Sequence, residues 1–374
     1  MPHYKFDQLA YNVTDKKMPE PGDEVMYIGL EHLDSGSLKV TRWGSEVELK
    51  GQKLVMKKGD ILFGRRNTYL RRAAIAPHDG IFSAHGMIFR PKTEVIDPEY
   101  FPFFISSNYF MDAAIRISVG SLSPTVNWKT LKELEFDIPS LEEQRKNAEL
   151  LKAINETKEA YQELLIQTDN LVKSQFIEMF GDPVQNDKGW TTKPIKEIAP
   201  ETNAEIPKES DYWWLNLDMI ESYSGRLLER VVEKADFIGN STHPFDDSMV
   251  LYSKLRPYLN KVIVPDGYGY ATTELVALKP NQAELNKYFL FNLLRSDCFV
   301  NYANKCSSGA QMPRMQMKVL KNFQCILPPM ELQNEFVEIS KQADKSKFEL
   351  KEAIKSCDAL MKAILFTNLE EKED

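Results

Sequence analysis

The chain has 374 residues, 43% of them hydrophobic and 27% charged, and a formal net charge of −8. This is the composition of a globular protein with enough chain for two or three domains, and it excludes a disordered, fibrous or disulfide-built molecule. No apolar run approaches the ~20 residues of a membrane span, and MPHYKFDQLA lacks the basic and apolar segments of a signal peptide, so a cytoplasmic protein without a membrane partner is expected.

In chain order, a short mixed segment to about residue 24 leads into VMYIGLEHLDSGSL, a strand and turn, and then into VELKGQKLVMKKGDILFGRR, further strands punctuated by glycine. AAIAPHDGIFSAHGMIFRP suggests a hairpin or strand pair. A helical piece over residues 99–116 follows, its apolar faces supplied by Phe103, Phe104, Phe110 and Ile115. The polar loop SVGSLSPTVNW, a short helix over 129–134 and a closing strand EFDIP complete an α+β globule over residues 1–138.

A long helix over 139–182 comes next. Ser140 is an N-cap with Glu143 three residues on, a capping box whose acidic group suits the positive end of the helix dipole. Gly181 and Pro183 supply a left-handed cap and a breaker. About 40 residues at ~1.5 Å each give roughly 60 Å. Leu150, Ile154, Thr157, Tyr161, Leu164, Thr168, Leu171 and Gln175 recur at alternating steps of three and four, the seam of a coiled coil.

Residues 183–328 then repeat the first globule and 329–374 repeat the helix. Pro139 and Pro328, Gln144 and Gln333, Lys173 and Lys362, Gly36 and Gly225, Pro91 and Pro280, and Pro124 and Pro313 are all 189 residues apart. The second seam is Ile339, Ala343, Ser346, Leu350, Ala353, Cys357, Leu360 and Ile364, smaller residues that suit a large-on-small pairing with the first. A chain that leaves one domain along a helix, builds a second and returns along another helix places the helices antiparallel. The expected architecture is therefore two tandemly repeated globular domains separated by a long two-helix antiparallel coiled coil, with pseudo-twofold symmetry.

Framework positions stay apolar or glycine between the copies while their polar neighbours change: Arg65 matches Lys254, His85 matches Glu274, Leu122 matches Gln311 and Thr125 matches Arg314. One scaffold with two surfaces is what readers of two different targets require. Overall acidity argues against nucleic acid, whose phosphates call for basic groups. Residues 57–72 nevertheless carry Lys57, Lys58, Arg65, Arg66, Arg71 and Arg72 against Asp60 alone; the acidic excess sits elsewhere, in residues 142–178 and the terminal LEEKED.

Catalytic chemistry is missing from the pattern. There is no GxxxxGK, GxGxxG or HExxH, and Cys298, Cys306, Cys325 and Cys357 lack metal-site spacing and read as reduced thiols. Leu327-Pro328-Pro329-Met330 has neither the polar residue before the prolines nor the aromatic after them that an amino-methyltransferase uses on its flipped base, and it reads as the start of a helix. His3, His32, His78, His85 and His243 are scattered, so no catalytic base, metal or cofactor is expected.

The candidate contacts are with DNA. In the first half they are Arg65, Arg66, Asn67, Tyr69, Arg71 and Arg72 beyond a strand, with Ser121, Ser123, Thr125 and Asn127 in the glycine loop. In the second they are Lys254, Arg256, Tyr258 and Asn260, with Gln311, Arg314 and Gln316. Arg suits guanine and Asn adenine in the major groove, while other members grip phosphate and position without specifying.

The twofold repeat, GDILFGRR after a strand, the glycine loop before a short helix, and DIPSLEEQRK and ILPPMELQNEF at the long helices together resemble the specificity (S) subunit of Type I restriction-modification systems. The resemblance covers nearly the whole chain; the second copy departs from it at Leu332, where the first has Glu143 two positions further along the motif, and at Ser248-Met249, where the first has Gly59-Asp60. It implies two target recognition domains on double-stranded DNA, a coiled coil that docks two methyltransferase subunits and spaces the domains, and restriction or translocase subunits added outside. S-adenosylmethionine would be bound by the methyltransferase and not by this chain. The competing expectations are a protein-protein adaptor without sequence readout and an enzyme in its own right, for which the sequence offers no site.

Overall fold

The computed structural model describes residues 2–239, 241–309 and 311–370. Residues 371–374, the end of the acidic tail read above, lie outside them. Contacts divide the chain into two units of mixed helix and sheet, one formed by residues up to 163 together with those from 350 onward, the other by 164–349.

In the first unit, apolar alternation builds two four-stranded sheets. One orders Ala10–Val13, Met87–Pro91, Ile61–Phe63 and Ala73–Ile75; the other orders Lys16–Lys17, Lys53–Met56, Gly80–Phe82 and Tyr27–Ile28. The expected hairpin over residues 73–91 does not form. Gly80–Phe82 and Met87–Pro91 enter different sheets, because the turn Ser83–Gly86 redirects the chain and both sides of the junction are buried by aromatic residues. The expected helix over 99–116 is broken into Phe101–Ser106 and Asn108–Arg116 by Ser107, whose hydroxyl accepts from the Phe110 amide and caps the second piece. Phe6, Phe63, Phe89, Phe110 and Phe136 fill the core between these helices and the first sheet, in mostly edge-to-face contacts.

The strand His3–Lys5 is zipped antiparallel to Glu135–Asp137, and it carries an ionisable clasp. His3 Nδ1 lies 2.9 Å from Asp137 and Nε2 3.1 Å from Glu135. The Asp137 hydrogen bond outweighs desolvation and, with Glu135, raises the imidazole above its ordinary 6.5. A raised pKa means the clasp is fully present below the ordinary value and is lost as pH rises through the folded one. We expect an NMR titration of the His3 ring protons to give a midpoint above 6.5, and Asp137→Asn to bring it back down.

The second unit repeats the plan with Val231–Lys234, Asp211–Leu215, Gly269–Thr272 and Thr242–Phe245 in one sheet and Val262–Ile263, Val250–Ser253 and Leu275–Leu278 in another. Phe289, Phe299 and Phe323 occupy its main core. Gly36 and Gly225, 189 residues apart, both turn the chain at positive φ, 73° and 67°.

The long helices are continuous over Leu141–Phe180 and Met330–Glu370. The capping box is present: the Ser140 amide donates to Glu143 at 2.9 Å and the Glu143 amide to the Ser140 hydroxyl at 3.3 Å. Gly181, at φ 73°, closes the other end with its amide on the Ile177 carbonyl. In each unit the two helical portions run in opposite directions. In the first, Lys158 meets Asp358 at 2.7 Å while Ala148 and Leu151 share a core with Ile364 and Leu365. In the second, Lys347 meets Asp169 at 2.9 Å while Phe176 packs edge-on against Phe336. Burial alone would pull the Lys347 ammonium down, but hydrogen bonds to Asp344 and Asp169 outweigh it and hold it above its usual value.

The expected seam is corrected in register. Leu150, Leu164, Leu171 and Leu360 are exposed, and Ile154, Tyr161, Ile339, Leu350 and Ile364 are half-buried. The buried stripe passes instead through Gln144, Ala148, Leu151, Lys158 and Phe176 on one helix and Gln333, Phe336, Val337, Ser340 and Cys357 on the other. Leu150-Leu151, Leu164-Leu165 and Leu171-Val172 are adjacent apolar pairs in which either member satisfies the heptad. The polar inward residues Lys158 and Ser340 are invisible to an apolar pattern.

Candidate nucleic-acid interface

Each unit places the same two loops side by side. In the first, the strand Ile61–Phe63 is fully buried and pushes Arg65 and Arg66 out beyond the sheet edge. There the backbone enters a single 3-10 turn, Thr68–Leu70, flanked by two left-handed residues, Asn67 at φ 54° and Arg71 at φ 49°. Buried Thr68 holds the turn by donating its hydroxyl to the Arg65 carbonyl at 2.9 Å. The glycine loop folds back at Gly120 (φ 115°), exchanging hydrogen bonds between Val119 and Thr125. It is then pinned to the arginine loop: the Asn67 amide donates to the Pro124 carbonyl at 2.8 Å and the Val126 amide to the Arg65 carbonyl at 2.9 Å.

The second unit reproduces this geometry on different residues. Arg256 and Asn260 are left-handed at φ 49° and 47°, flanking the turn Pro257–Leu259. The Arg256 amide donates to the Pro313 carbonyl at 2.7 Å and the Met315 amide to the Lys254 carbonyl at 2.9 Å. Asn tolerates the left-handed region, whereas Arg pays for it, and the two residue types have exchanged places between the copies. Buried atoms without a hydrogen-bond partner concentrate here as well: Arg65 Nε, Asn67 Oδ1, Arg256 Nε and Asn260 Oδ1. Conformational strain and unmatched polar atoms, each costing on the order of 1–3 kcal/mol, persist where a surface is shaped for something other than stability.

The candidates divide by what already holds them. Arg66, Tyr69, Ser121, Asn127, Tyr258, Gln311, Arg314 and Gln316 are exposed. Arg66 reaches Ser123 through a single long hydrogen bond of 3.4 Å, and Ser123, Thr125, Asn67, Lys254 and Arg256 are half-buried beside this surface. Others are tied inward. Arg71 bonds Asn108 and Asp112, Arg72 donates to the Leu30 carbonyl at 2.7 Å, and Arg65 makes a 3.5 Å contact to the Ala84 carbonyl. Asn260 is 7% exposed and spends its amide on the Arg295 carbonyl at 2.9 Å, so it anchors the loop and is removed from the contact set.

Two features escaped the sequence reading. Leu122 stands 95% exposed between Ser121 and Ser123 at the tip of the glycine loop. Glu274 grips Arg314 through three hydrogen bonds of 3.0–3.3 Å, which raise the guanidinium above its usual value. The signal for the second was present, since Glu274 and Arg314 both replace uncharged partners in the repeat alignment.

Among the described residues no cluster of His, Cys, Asp or Glu could hold a metal ion, and no helix is long and apolar enough to cross a membrane. Duplicated α+β units that each offer a basic loop locked to a glycine loop, carried on paired long helices, define a class of proteins that read nucleic acid with two heads. The family profile described as "Type I restriction modification DNA specificity domain" matches residues 14–167 and again 187–356, and the chain belongs to this family. Its function is DNA recognition as a non-catalytic specificity subunit.

The EcoDI specificity subunit of a type I restriction enzyme from Escherichia coli is 21% identical over 332 residues, spanning 78% of this chain and 74% of the relative. The putative MjaX specificity subunit from Methanocaldococcus jannaschii is 23% identical over 346 residues, 84% and 79% of the two chains. Among solved structures, the S subunit of a type I system from M. genitalium aligns with a TM-score of 0.58 at 14% identity, covering 98% of this chain and 95% of that one. A chain from a study of assembly and conformational transition in the type I R-M system aligns at 0.57 and 17%, covering 98% and 97%. These two likenesses concern the fold.

Proposed function

We propose that each unit reads one half of a bipartite duplex site, and that the long helices pair along their length as one antiparallel coiled coil with pseudo-twofold symmetry. The observation that carries this reading is the repetition, 189 residues apart, of the same strained loop pair with different side chains. Equal scaffolds give two equivalent heads, and unequal surfaces give two different half-sites. The exposed apolar residues Leu150, Leu164, Ile166, Leu171, Phe348 and Leu360 leave the helices a surface for protein partners. Two methyltransferase subunits that carry S-adenosylmethionine dock there, with restriction or translocase subunits outside them. The complex acts on DNA in the cytoplasm.

Exchange of residues 1–138 for the homologous segment of a relative, followed by sequencing of methylated sites in the assembled complex, is expected to change one half-site and leave the other and the gap intact. Unchanged half-sites would sink the modular reading.

A further inference from the structure

We propose that Glu274 buttresses Arg314 so that the second recognition domain reads one guanine end-on, and that the first domain has no counterpart of this contact. The inference rests on the reading that these loops face DNA, and it names the base and the two residues involved.

Arg314 sits on a backbone fixed from both sides. It pairs with Ser308 in a short strand ladder and forms a bridge to Leu255 of the basic loop. Glu274 lies between the strands Gly269–Thr272 and Leu275–Leu278, its carbonyl accepting from the Lys254 amide at 3.1 Å. The carboxylate engages only the side edge of the guanidinium: Nε to Oε1 at 3.2 Å, Nε to Oε2 at 3.3 Å and Nη2 to Oε1 at 3.0 Å. The opposite edge, formed by the two Nη groups, carries no hydrogen bond among the described residues, and the Arg314 side chain is 46% exposed. Two parallel N–H groups held in one plane match the O6 and N7 acceptors of guanine in the major groove.

The carboxylate also decides between base and phosphate. A neutral ion pair gains little from a phosphate, and a carboxylate beside the backbone is repelled by it. A base edge asks for direction instead of net charge, which is what the buttress supplies at the entropic cost of one arginine fixed in advance. In the first domain the equivalent positions are Thr125 and His85, neither able to supply a fixed guanidinium. The exchange Thr125/His85 to Arg314/Glu274 thus accounts for one base of difference between the half-sites.

The test uses the full chain assembled with its methyltransferase subunits, acting on a library of duplexes randomised across both half-sites, with methylated molecules sequenced. The wild type is expected to require G·C at one position of the second half-site. Arg314→Ala should lose that preference by about ten- to a hundredfold while every other position holds, since a good bidentate contact is worth that much discrimination. Arg314→Lys should lose nearly as much, having a single point donor. Glu274→Gln should lower the preference at the same position and no other. The retained positions report that each variant is folded and assembled. A uniform loss at all sequences in Arg314→Ala, with a shallower salt dependence, would make Arg314 a phosphate contact and overturn the proposal. Tighter binding of all duplexes by Glu274→Gln with unchanged preferences would make the carboxylate a mask, which also overturns it. Failure of the DNA reading itself looks different: Arg66→Ala and Lys254→Ala would then leave affinity for every duplex unaltered.

Discussion

Gln333→Leu is expected to destabilise the second unit by about 3–5 kcal/mol, and Gln144→Leu the first by a similar amount. Each glutamine is 0% exposed at the base of a long helix and satisfies three backbone groups at once. Gln333 accepts from the Asn286 amide at 2.9 Å and donates to the carbonyls of Glu284 at 3.0 Å and Pro328 at 2.8 Å. Gln144 repeats the set on Asp97 at 2.7 Å, Val95 at 3.0 Å and Pro139 at 2.9 Å. Leucine fills the volume but orphans one amide and two carbonyls, at about 1–3 kcal/mol for each buried group left unmade, less for carbonyls that retain a second lone pair. Against a domain stability of about 5–15 kcal/mol, that is a large fraction. Glutamate offers no remedy, because its carboxylate keeps the amide but faces two carbonyls with no proton to give. Hydrogen exchange read by segment in the full chain checks this, with protection expected to fall first in the unit whose glutamine was replaced. A change below about 1 kcal/mol would mean that water replaces the amide and the site is not a sealed one.

The same glutamines show how far the sequence was legible and where it stopped. Their 189-residue spacing and the proline before them marked the start of each long helix, and Ser140 with Glu143 gave the cap. The repeat also located the two loops in each half. What pattern could not supply was direction. An apolar pair such as Leu150-Leu151 satisfies a heptad with either member, and only the partner helix chooses Leu151. Neither could it supply conformation: nothing in RRNTYLR or LRPYLN announces two left-handed residues around a one-turn helix, since neither arginine favours positive φ. Basic composition overstated the contact set, because Arg71, Arg72 and Asn260 are consumed in holding the loops that Arg66 and Arg314 project from. Residue type announces capacity for a contact, while the hydrogen bonds already made decide whether that capacity remains.

Inserting four residues into both long helices, at 163/164 and at 349/350, is expected to lengthen the gap between the half-sites while leaving the bases of both unchanged. Four residues add about 6 Å of helix, under two steps of a duplex that rises about 3.4 Å per base pair, so the gap grows by one or at most two pairs. A four-residue insertion is close to one heptad half-period and is absorbed as local unwinding of the coil. Insertion into one helix alone has a different outcome on the proposed continuous coil. Lys158 with Asp358 and Lys347 with Asp169 fix equal lengths of the two helices between them. An unequal insertion must break one of these pairs or loop out, and each lysine is largely buried, at 10% and 16% side-chain exposure. Stranding such an ammonium costs about 1–3 kcal/mol, so the single insertion should lose most methylation of wild-type and lengthened sites alike. Methylation-site sequencing of the three assembled complexes distinguishes these outcomes. If the double insertion altered the bases read at an unchanged gap, the helices would be part of the reading heads and not the distance between them.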